Sequence, residues 1–297
     1  MGGATRRDFL KAGLAAGILG GTGGLLAEPA AGKSASDWVA LGKSGVKVTR
    51  LGMGTGTYNG RAQRELGQEG FTRVVRHAYE RGVRFFDTAE TYSGMPQMLA
   101  KALKGLPRDS YRLMSKFEVG DKENPKPAIE RLRQELDAEY LDIMLMHCMR
   151  SPSWPEELKG VEDALSEAKA KQSVLAHGAS IHGLLPLRAC PGNQWLDVAL
   201  LRMNHRGASM DTLKAWDSAE PGNVEEVAAQ SKKIHAQGTG VVGMKLIGEG
   251  RFKTPEERDA AMKFVLGLGS VDAVIIGFQS TAEVDEAIER MNRTLAA

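Results

Sequence analysis

Two side chains suited to proton transfer, Asp87 and Tyr92, follow a short apolar run of the sequence. The run over residues 83–86 comes after Arg81 and Gly82, and this pattern predicts a buried strand entered from a helix that ends at the glycine. A buried carboxylate or hydroxyl costs free energy unless it has a partner. Two such groups after one strand indicate a polar site, although a strand end capped by an Asp, with a surface Tyr nearby, would give the same pattern.

Two later strands end on complementary polar residues. One mostly apolar stretch ends on Lys116, and the next ends on His147. The carboxyl ends of all strands in a parallel barrel open on one face, where active sites of that architecture are built. Asp87, Lys116 and His147 are therefore predicted to meet at one barrel mouth, with Tyr92 on the loop after the first strand.

Alternating strand and helix patterns supply the elements that would position these residues. Short apolar runs predict eight strands at residues 51–55, 83–86, 111–116, 141–147, 174–180, 198–204, 240–246 and 273–278. Amphipathic runs predict helices at residues 71–80, 98–103, from 124 onward, 161–170, 224–237, 255–268 and 282–293. Residues 38–49 predict a separate hairpin with its turn at 43–45. The order predicts an α/β fold, a (β/α)8 TIM barrel with an N-terminal β-hairpin.

The order of the four polar residues resembles the Asp-Tyr-Lys-His tetrad of the aldo-keto reductases. Residues 82–92, Gly-Val-Arg-Phe-Phe-Asp-Thr-Ala-Glu-Thr-Tyr, are similar to the signature of that family around Asp and Tyr. Residues 41–55 resemble its opening hairpin and first strand, and the resemblance runs from about residue 41 to the C-terminus. It implies an oxidoreductase whose hairpin closes the bottom of the barrel.

The resemblance implies a role for each member of the tetrad. Tyr92 would be the general acid/base, Lys116 would lower its pKa, Asp87 would hold Lys116, and His147 would orient the carbonyl or assist proton transfer. The chemistry asks for such groups, because hydride transfer leaves negative charge on the oxygen and a free phenol has a pKa of about 10. A nearby ammonium stabilises the phenolate. A purely structural ion pair between Asp87 and Lys116 is the alternative.

The cofactor prediction also comes from the resemblance. No GxGxxG motif follows the first strand, so the sequence lacks the Rossmann fingerprint. The family instead binds an extended NAD(P)(H) across the barrel mouth, with the phosphate end near strands seven and eight. Residues 277–280 would offer backbone N–H groups to a phosphate, or would form an ordinary strand-to-helix turn. The predicted cofactor contacts are Gly54, Thr55, Asp87, Ser180, Lys245, Gly277, Phe278, Gln279 and Ser280.

Three positions depart from the pattern of the family. Glu283 stands near the place where many members carry an arginine for the adenosine 2′-phosphate, which favours NAD but leaves NAD versus NADP unresolved. Ile181 and Leu200 stand where many members carry an Asn and a Gln beside the nicotinamide. His182 or Asn204 is a candidate replacement, and a structural role is the alternative for His182.

Composition and cysteine spacing argue against several other classes of protein. The net charge is +2 over 297 residues, so nothing indicates nucleic acid or an acidic partner. Cys148 and Cys190 show no CxxC or Cys/His spacing typical of a zinc site, so no metal is expected. Cys148 is expected to be a small buried apolar residue rather than a nucleophile.

Residues 1–35 predict a leader before a barrel of residues 36–297. Residues 5–11, Thr-Arg-Arg-Asp-Phe-Leu-Lys, resemble a twin-arginine export signal. The glycine-rich apolar run that follows is too short for a stable membrane span. The predicted partner is the twin-arginine export machinery, and the predicted location is the periplasm or another exported compartment. A disordered basic tail is the alternative, and no later segment is apolar enough to span a membrane.

Together these patterns predict an exported oxidoreductase. It would transfer a hydride between a nicotinamide cofactor and an aldehyde, a ketone or the matching alcohol. The intact tetrad favours this prediction. The altered nicotinamide contacts favour an alternative, a nucleotide-binding barrel that acts as a sensor or accessory subunit with little turnover.

Overall fold

The structure, a computed structural model, describes residues 33–119, 126–213 and 220–297. Residues Lys33–Ala297 form one compact unit. The predicted export signal and the predicted helix start at residue 124 lie outside the described residues. Within the described ranges, no helix has both the length and the apolar composition needed to cross a bilayer.

A hairpin and a closed barrel make up the sheet structure. The hairpin strands are β1 (Trp38–Ala40) and β2 (Lys47–Thr49). The barrel strands are β3 (Leu51–Gly54), β4 (Phe85–Asp87), β5 (Arg112–Glu118), β6 (Leu141–Met149), β7 (Val174–Ile181), β8 (Val198–Arg202), β9 (Gly240–Met244) and β10 (Ala273–Gly277). The eight barrel strands are parallel and pair in chain order, and β10 pairs with β3 to close the ring. The predicted (β/α)8 barrel with an N-terminal hairpin is confirmed.

Helices follow most of the barrel strands. They are α1 (Arg61–Arg64), α2 (Gly67–Glu80), α3 (Met95–Leu103), α4 (Lys126–Glu135), α5 (Trp154–Glu157), α6 (Lys159–Ala170), α7 (Leu184–Arg188), α8 (Val224–Ala236), α9 (Pro255–Gly267) and α10 (Thr281–Ala296). The long helices match the predicted ones, with ends that shift by a few residues. The short helices α1, α5 and α7 escape prediction because about one turn is too short to show a 3.6-residue period.

Local sequence explains where the long helices lie. In α2 the residues at helical spacing, Phe71, Val74, Val75 and Ala78, are buried and form one apolar stripe. Thr254 caps α9 as predicted, and its side chain accepts a hydrogen bond from the backbone N–H of Glu257 at 3.2 Å.

The hairpin packs against the amino end of the barrel. Leu41, Val46 and Val48 belong to the same buried apolar cluster as the barrel interior. The backbone N–H of Lys43 donates to the carbonyl oxygen of Gly238, just before β9, at 2.7 Å. The hairpin therefore closes the end of the barrel where the strands begin.

Strand alternation decides which residues reach the open end. Phe85, Met114, Leu145 and Leu200 belong to the apolar cluster inside the barrel. Successive side chains of a strand point to opposite faces, so the residue two places further along faces inward as well. On β7 the same alternation runs from Ala176 to Ser180, which is four residues further along and also faces inward. The inward layer at the carboxyl end therefore consists of Asp87, Lys116, His147, Ser180 and Arg202.

Candidate active site

Lys116 is held at the barrel mouth by two acceptors. Its Nζ donates to Oδ1 of Asp87 and, at 2.7 Å, to the carbonyl oxygen of Thr88. The Lys116 and Asp87 residues are only 1% and 2% exposed, so water competes little for the pair. Burial raises the pKa of Asp87 and lowers the pKa of Lys116, and the charge of each partner opposes the shift of the other. The pair fixes the ammonium in position.

Tyr92 lies on the loop between β4 and α3, close to this ammonium. The Nζ of Lys116 is 5.1 Å from the centre of the Tyr92 ring. A Cβ atom on Gly56 would lie 2.6 Å from the phenol oxygen, so the glycine leaves the space that Tyr92 occupies. Burial, followed by the charge of Asp87, raises the pKa of Tyr92 well above its usual value. This direction is opposite to the lowering expected from Lys116, because burial is the largest cause of the shift.

His147 completes the predicted tetrad. Its ring centre is 5.7 Å from that of Tyr92, with the planes nearly perpendicular. Its Nδ1 is 3.3 Å from Oγ1 of Thr91, which leaves Nε2 for another partner. Burial first, and nearby cations second, lower the pKa of His147 to about 3, so the imidazole is neutral at neutral pH. A neutral imidazole can donate an N–H to a carbonyl oxygen.

A groove leads away from the tetrad along the barrel mouth. A cavity of about 440 Å³ extends from Tyr92 to the carboxyl ends of β9 and β10 and the start of α10. Its walls contain six of the predicted cofactor contacts, namely Gly54, Asp87, Lys245, Gly277, Phe278 and Gln279. The other three, Thr55, Ser180 and Ser280, do not line this cavity.

Two of those three residues carry buried hydroxyls without a hydrogen-bond partner among the described residues. They are Thr55, directly after β3, and Ser180, in the inward layer of β7. An unpaired buried hydroxyl costs about 1–3 kcal/mol. A ligand amide in the mouth would relieve that cost, so these two positions fit the carboxamide end of a nicotinamide.

The two candidate replacements for the missing nicotinamide contacts differ in their surroundings. The Asn204 amide donates to the carbonyl oxygen of Ala208 at 2.7 Å and accepts from its N–H at 3.0 Å, so it braces its own loop. It therefore does not supply the missing contact. His182 lies directly after β7, and its Nδ1 is 3.6 Å from Sγ of Cys148.

Carboxylates already occupy the predicted phosphate end of the groove. Ser280 caps α10 by accepting a hydrogen bond from the N–H of Glu283 at 3.2 Å. The Glu283 carboxylate in turn accepts from the N–H of Gln279 at 2.7 Å. The Nζ of Lys245 is paired with the carboxylate of Glu249. A phosphate bound here would replace these carboxylates, so part of the predicted anion cradle is filled by the chain itself.

Sequence patterns did not identify two features of the barrel mouth. Arg202 is buried in the inward layer, and its Nε donates to Oδ1 of Asp211 at 2.8 Å. Alternation along β8 from Leu200 could have located it. The hydroxyl of Tyr58 donates to the carbonyl oxygen of Glu249 at 3.2 Å, and both residues line the groove. No sequence signal predicts that contact, because it joins residues 191 positions apart.

Sequence comparison agrees with the geometry of the site. The Aldo/keto reductase family profile matches residues 50–295, which is most of the chain. The chain belongs to the aldo/keto reductase family, a family of oxidoreductases, as the tetrad predicts.

Individual relatives are distant. The chain is 30% identical over 174 residues to "Probable aldo-keto reductase 1" of Glycine max, which covers 51% of this chain and 49% of that protein. It thus spans about half the length of this curated relative.

Solved structures share the fold at low identity. A putative aldo-keto reductase from Pseudomonas aeruginosa matches with a TM-score of 0.70 at 20% identity, covering 88% of this chain and 97% of that one. An aldo-keto reductase from Klebsiella pneumoniae in complex with NADPH matches with a TM-score of 0.64 at 16% identity, covering 87% and 89%. Both matches support the barrel assignment.

Proposed function

We propose that this protein reduces small aldehydes or ketones with a nicotinamide cofactor, or oxidises the matching alcohols. The observation that carries the proposal is the position of Tyr92, whose ring centre lies 5.1 Å from the Lys116 ammonium and 5.7 Å from the ring centre of His147. Tyr92 lies at one end of a groove with a volume of about 440 Å³. The cofactor would supply the hydride, and the chain would supply the proton.

Each side chain has one task in this proposal. Tyr92 donates its proton to the carbonyl oxygen as negative charge develops there. Lys116 stabilises the phenolate left behind, because Asp87 holds its ammonium in place. His147 donates from Nε2 to the carbonyl oxygen and so orients the substrate, since Thr91 engages the other ring nitrogen.

The proposed nucleotide lies along the groove. Its nicotinamide end would lie beside Tyr92, and its carboxamide would have to extend beyond the groove walls to reach the unpaired hydroxyls of Thr55 and Ser180. Its phosphates would approach Lys245 and the backbone of residues 277–279. The choice between NAD and NADP depends on charges at that end of the groove, where the carboxylate of Glu283 opposes a 2′-phosphate.

Fluorescence titration with NADH and NADPH, together with Tyr92→Phe, tests the proposal. Wild type should bind at least one nucleotide and reduce aldehydes. Tyr92→Phe should keep nucleotide affinity and lose about 10²–10⁴-fold in reduction, the usual contribution of general acid catalysis. Tyr140→Phe, at a position outside the groove walls, is the matched control. It should keep both the nucleotide affinity and the reduction rate of the wild type.

Two results would overturn the reductase proposal. Absence of binding to either nucleotide removes the cofactor from it. Tight nucleotide binding with no turnover of a broad aldehyde and ketone panel would instead support the sensor or accessory-subunit alternative. That alternative arises because Ile181 and Leu200 replace the usual nicotinamide contacts.

We also propose that the twin-arginine route exports the protein from the cytoplasm. The proposal rests on Arg6, Arg7 and the apolar run after them. Fractionation of cells that express the full chain should locate the protein outside the cytoplasm. An Arg6→Lys/Arg7→Lys variant should stay inside, whereas Lys11→Arg should be exported normally. Export of the double variant at the wild-type level would contradict the proposal.

A further inference from the structure

The barrel mouth brings together three residues that could bind a metal. His147 and Cys148 are neighbours near the end of β6, and His182 directly follows β7. Sγ of Cys148 is 3.6 Å from Nδ1 and 3.7 Å from Nε2 of His182. One ligand atom from each of the three residues lies within 4.8 Å of the others. Spacing along the chain conceals this cluster, because its third member comes from another strand.

An irregular backbone turns Cys148 toward its two neighbours. Consecutive residues of a regular strand point to opposite faces, so His147 and Cys148 would normally diverge. Here Cys148 has φ of 61°, in the left-handed region, and the pairing of β6 with β7 shifts register between Met146 and Met149. A left-handed residue other than glycine costs roughly 1–2 kcal/mol, and bulges beside active sites often re-aim a side chain. The thiol is half-buried, contrary to the expectation of a buried apolar residue.

Metal binding would change the charge of one ligand. A ligating cysteine is a thiolate and a ligating histidine is neutral, so the thiol proton of Cys148 would leave when the metal binds.

We propose that His147, Cys148 and His182 bind one zinc-class divalent ion at the barrel mouth. A tetrahedral ion holds sulfur at about 2.3 Å and nitrogen at about 2.0–2.1 Å, which separates the two ligand atoms by about 3.6 Å. The Cys148–His182 separation already has that value. Three protein ligands leave a fourth position open, as in catalytic rather than structural zinc sites.

The site has a consequence for the reductase reaction, and this part rests on the proposed function. Thr91 engages Nδ1 of His147, so Nε2 is the nitrogen left for the metal. The same nitrogen would orient the substrate carbonyl. An ion bound to His147 therefore competes with the substrate, and we expect Zn²⁺ to inhibit reduction reversibly.

Nearby positive charges limit the affinity of the site. Lys116, Arg150, Arg202 and Lys245 all act on the electrostatics of the cluster. Their repulsion of a cation should make binding weaker than at a structural zinc site, and a chelator should remove the ion without unfolding the barrel.

Cobalt titration of the full chain tests the site without relying on activity. Co²⁺ replaces Zn²⁺ in such sites, and a cobalt–thiolate bond gives a charge-transfer band in the near ultraviolet. Wild type should develop this band with one equivalent of metal, and Cys148→Ser should lose it. Cys190→Ser, which removes the other free thiol of the chain, should behave as wild type. His182→Gln removes a ligand and should weaken binding by at least the roughly 10–100-fold that loss of a ligand's hydrogen-bond partner costs.

The possible outcomes separate the two proposals. A wild-type protein without the band, or a band that persists in Cys148→Ser, would overturn the metal site. If the band behaves as expected but no nucleotide binds, the reductase proposal fails while the metal site stands. If the protein is an active reductase, inhibition by Zn²⁺, measured against the metal-free rate of each variant, should persist in Cys190→Ser and disappear in Cys148→Ser.

Discussion

The carboxylate of Glu283 accepts a hydrogen bond from the backbone N–H of Gln279 at 2.7 Å. The two residues flank Ser280, the cap of α10, so the acidic side chain fills space beside the helix N-terminus. A helix N-terminus attracts anions, and here the chain supplies its own. Any phosphate that binds at this end of the groove competes with Glu283.

Glu283→Gln should therefore shift cofactor preference toward NADPH. Glutamine keeps an acceptor for the Gln279 N–H but removes the negative charge. The ratio of NADPH to NADH affinity should rise roughly 1.5-fold to fivefold, as expected for one solvent-accessible charge interaction of about 0.2–1 kcal/mol. Fluorescence titration measures both affinities. Glu256→Gln, at an exposed position in the first helical turn of α9 and outside the groove walls, is the control. An equal change in the affinity ratio of that variant would refute the explanation.

Separating Lys116 from Asp87 should destabilise the barrel strongly. Lys116→Met leaves the Asp87 carboxylate buried without its cation, and loss of one partner of a buried pair costs about 3–5 kcal/mol. The double variant Asp87→Asn/Lys116→Met should recover part of this loss. Denaturant unfolding of the wild type, of Lys116→Met, of Asp87→Asn and of the double variant gives the coupling free energy.

An exposed pair provides the comparison for this cycle. The Nζ of Lys159 and Oδ1 of Asp163 lie 2.7 Å apart on the surface of α6. The coupling free energy of this exposed pair should be far smaller than that of Lys116 and Asp87. Equal coupling in the two cycles would mean that burial does not set the strength of the Lys116–Asp87 pair.

The pH dependence of reduction should follow from the raised pKa of Tyr92. A proton donor is active below its pKa, and burial raises the pKa of Tyr92 above its usual value of about 10. The reduction rate should therefore hold as the pH rises toward about 10, and should fall only beyond the usual phenol range. Steady-state kcat against pH checks this, with circular dichroism at each pH to detect unfolding. A loss centred near pH 8 in folded protein would contradict it.

Two glycine-to-alanine changes should have opposite effects on stability. A Cβ atom on Gly178 of β7 would collide with the carbonyl oxygen of Val198 on β8, so Gly178→Ala should cost at least about 3 kcal/mol. Gly160 lies exposed near the start of α6, with no atom within 4 Å of an added Cβ. Gly160→Ala should stabilise by about 0.5–1 kcal/mol. Thermal unfolding measures both, and the same sign for both changes would show that the close strand approach is not the cause.

Much of the fold was predictable because it depends on short-range patterns. The period-two and 3.6-residue patterns locate the strands and long helices, and they bring Asp87, Lys116 and His147 to one end of the barrel. Strand ends were less predictable: β6 continues to Met149, two residues past His147. The extension includes the irregular backbone at Cys148, which no apolar pattern marks.

The sequence by itself determined the family, the barrel and the tetrad, since parallel strands in chain order must open their carboxyl ends on one face. The tertiary structure alone decided the charge states and the long-range contacts. Burial raises the pKa of the Tyr92 phenol, whereas the adjacent Lys116 predicted a lowered pKa from sequence. The fold also brings His182 beside Cys148, because the backbone of β6 is irregular at Cys148 where it pairs with β7, and no local pattern records that irregularity.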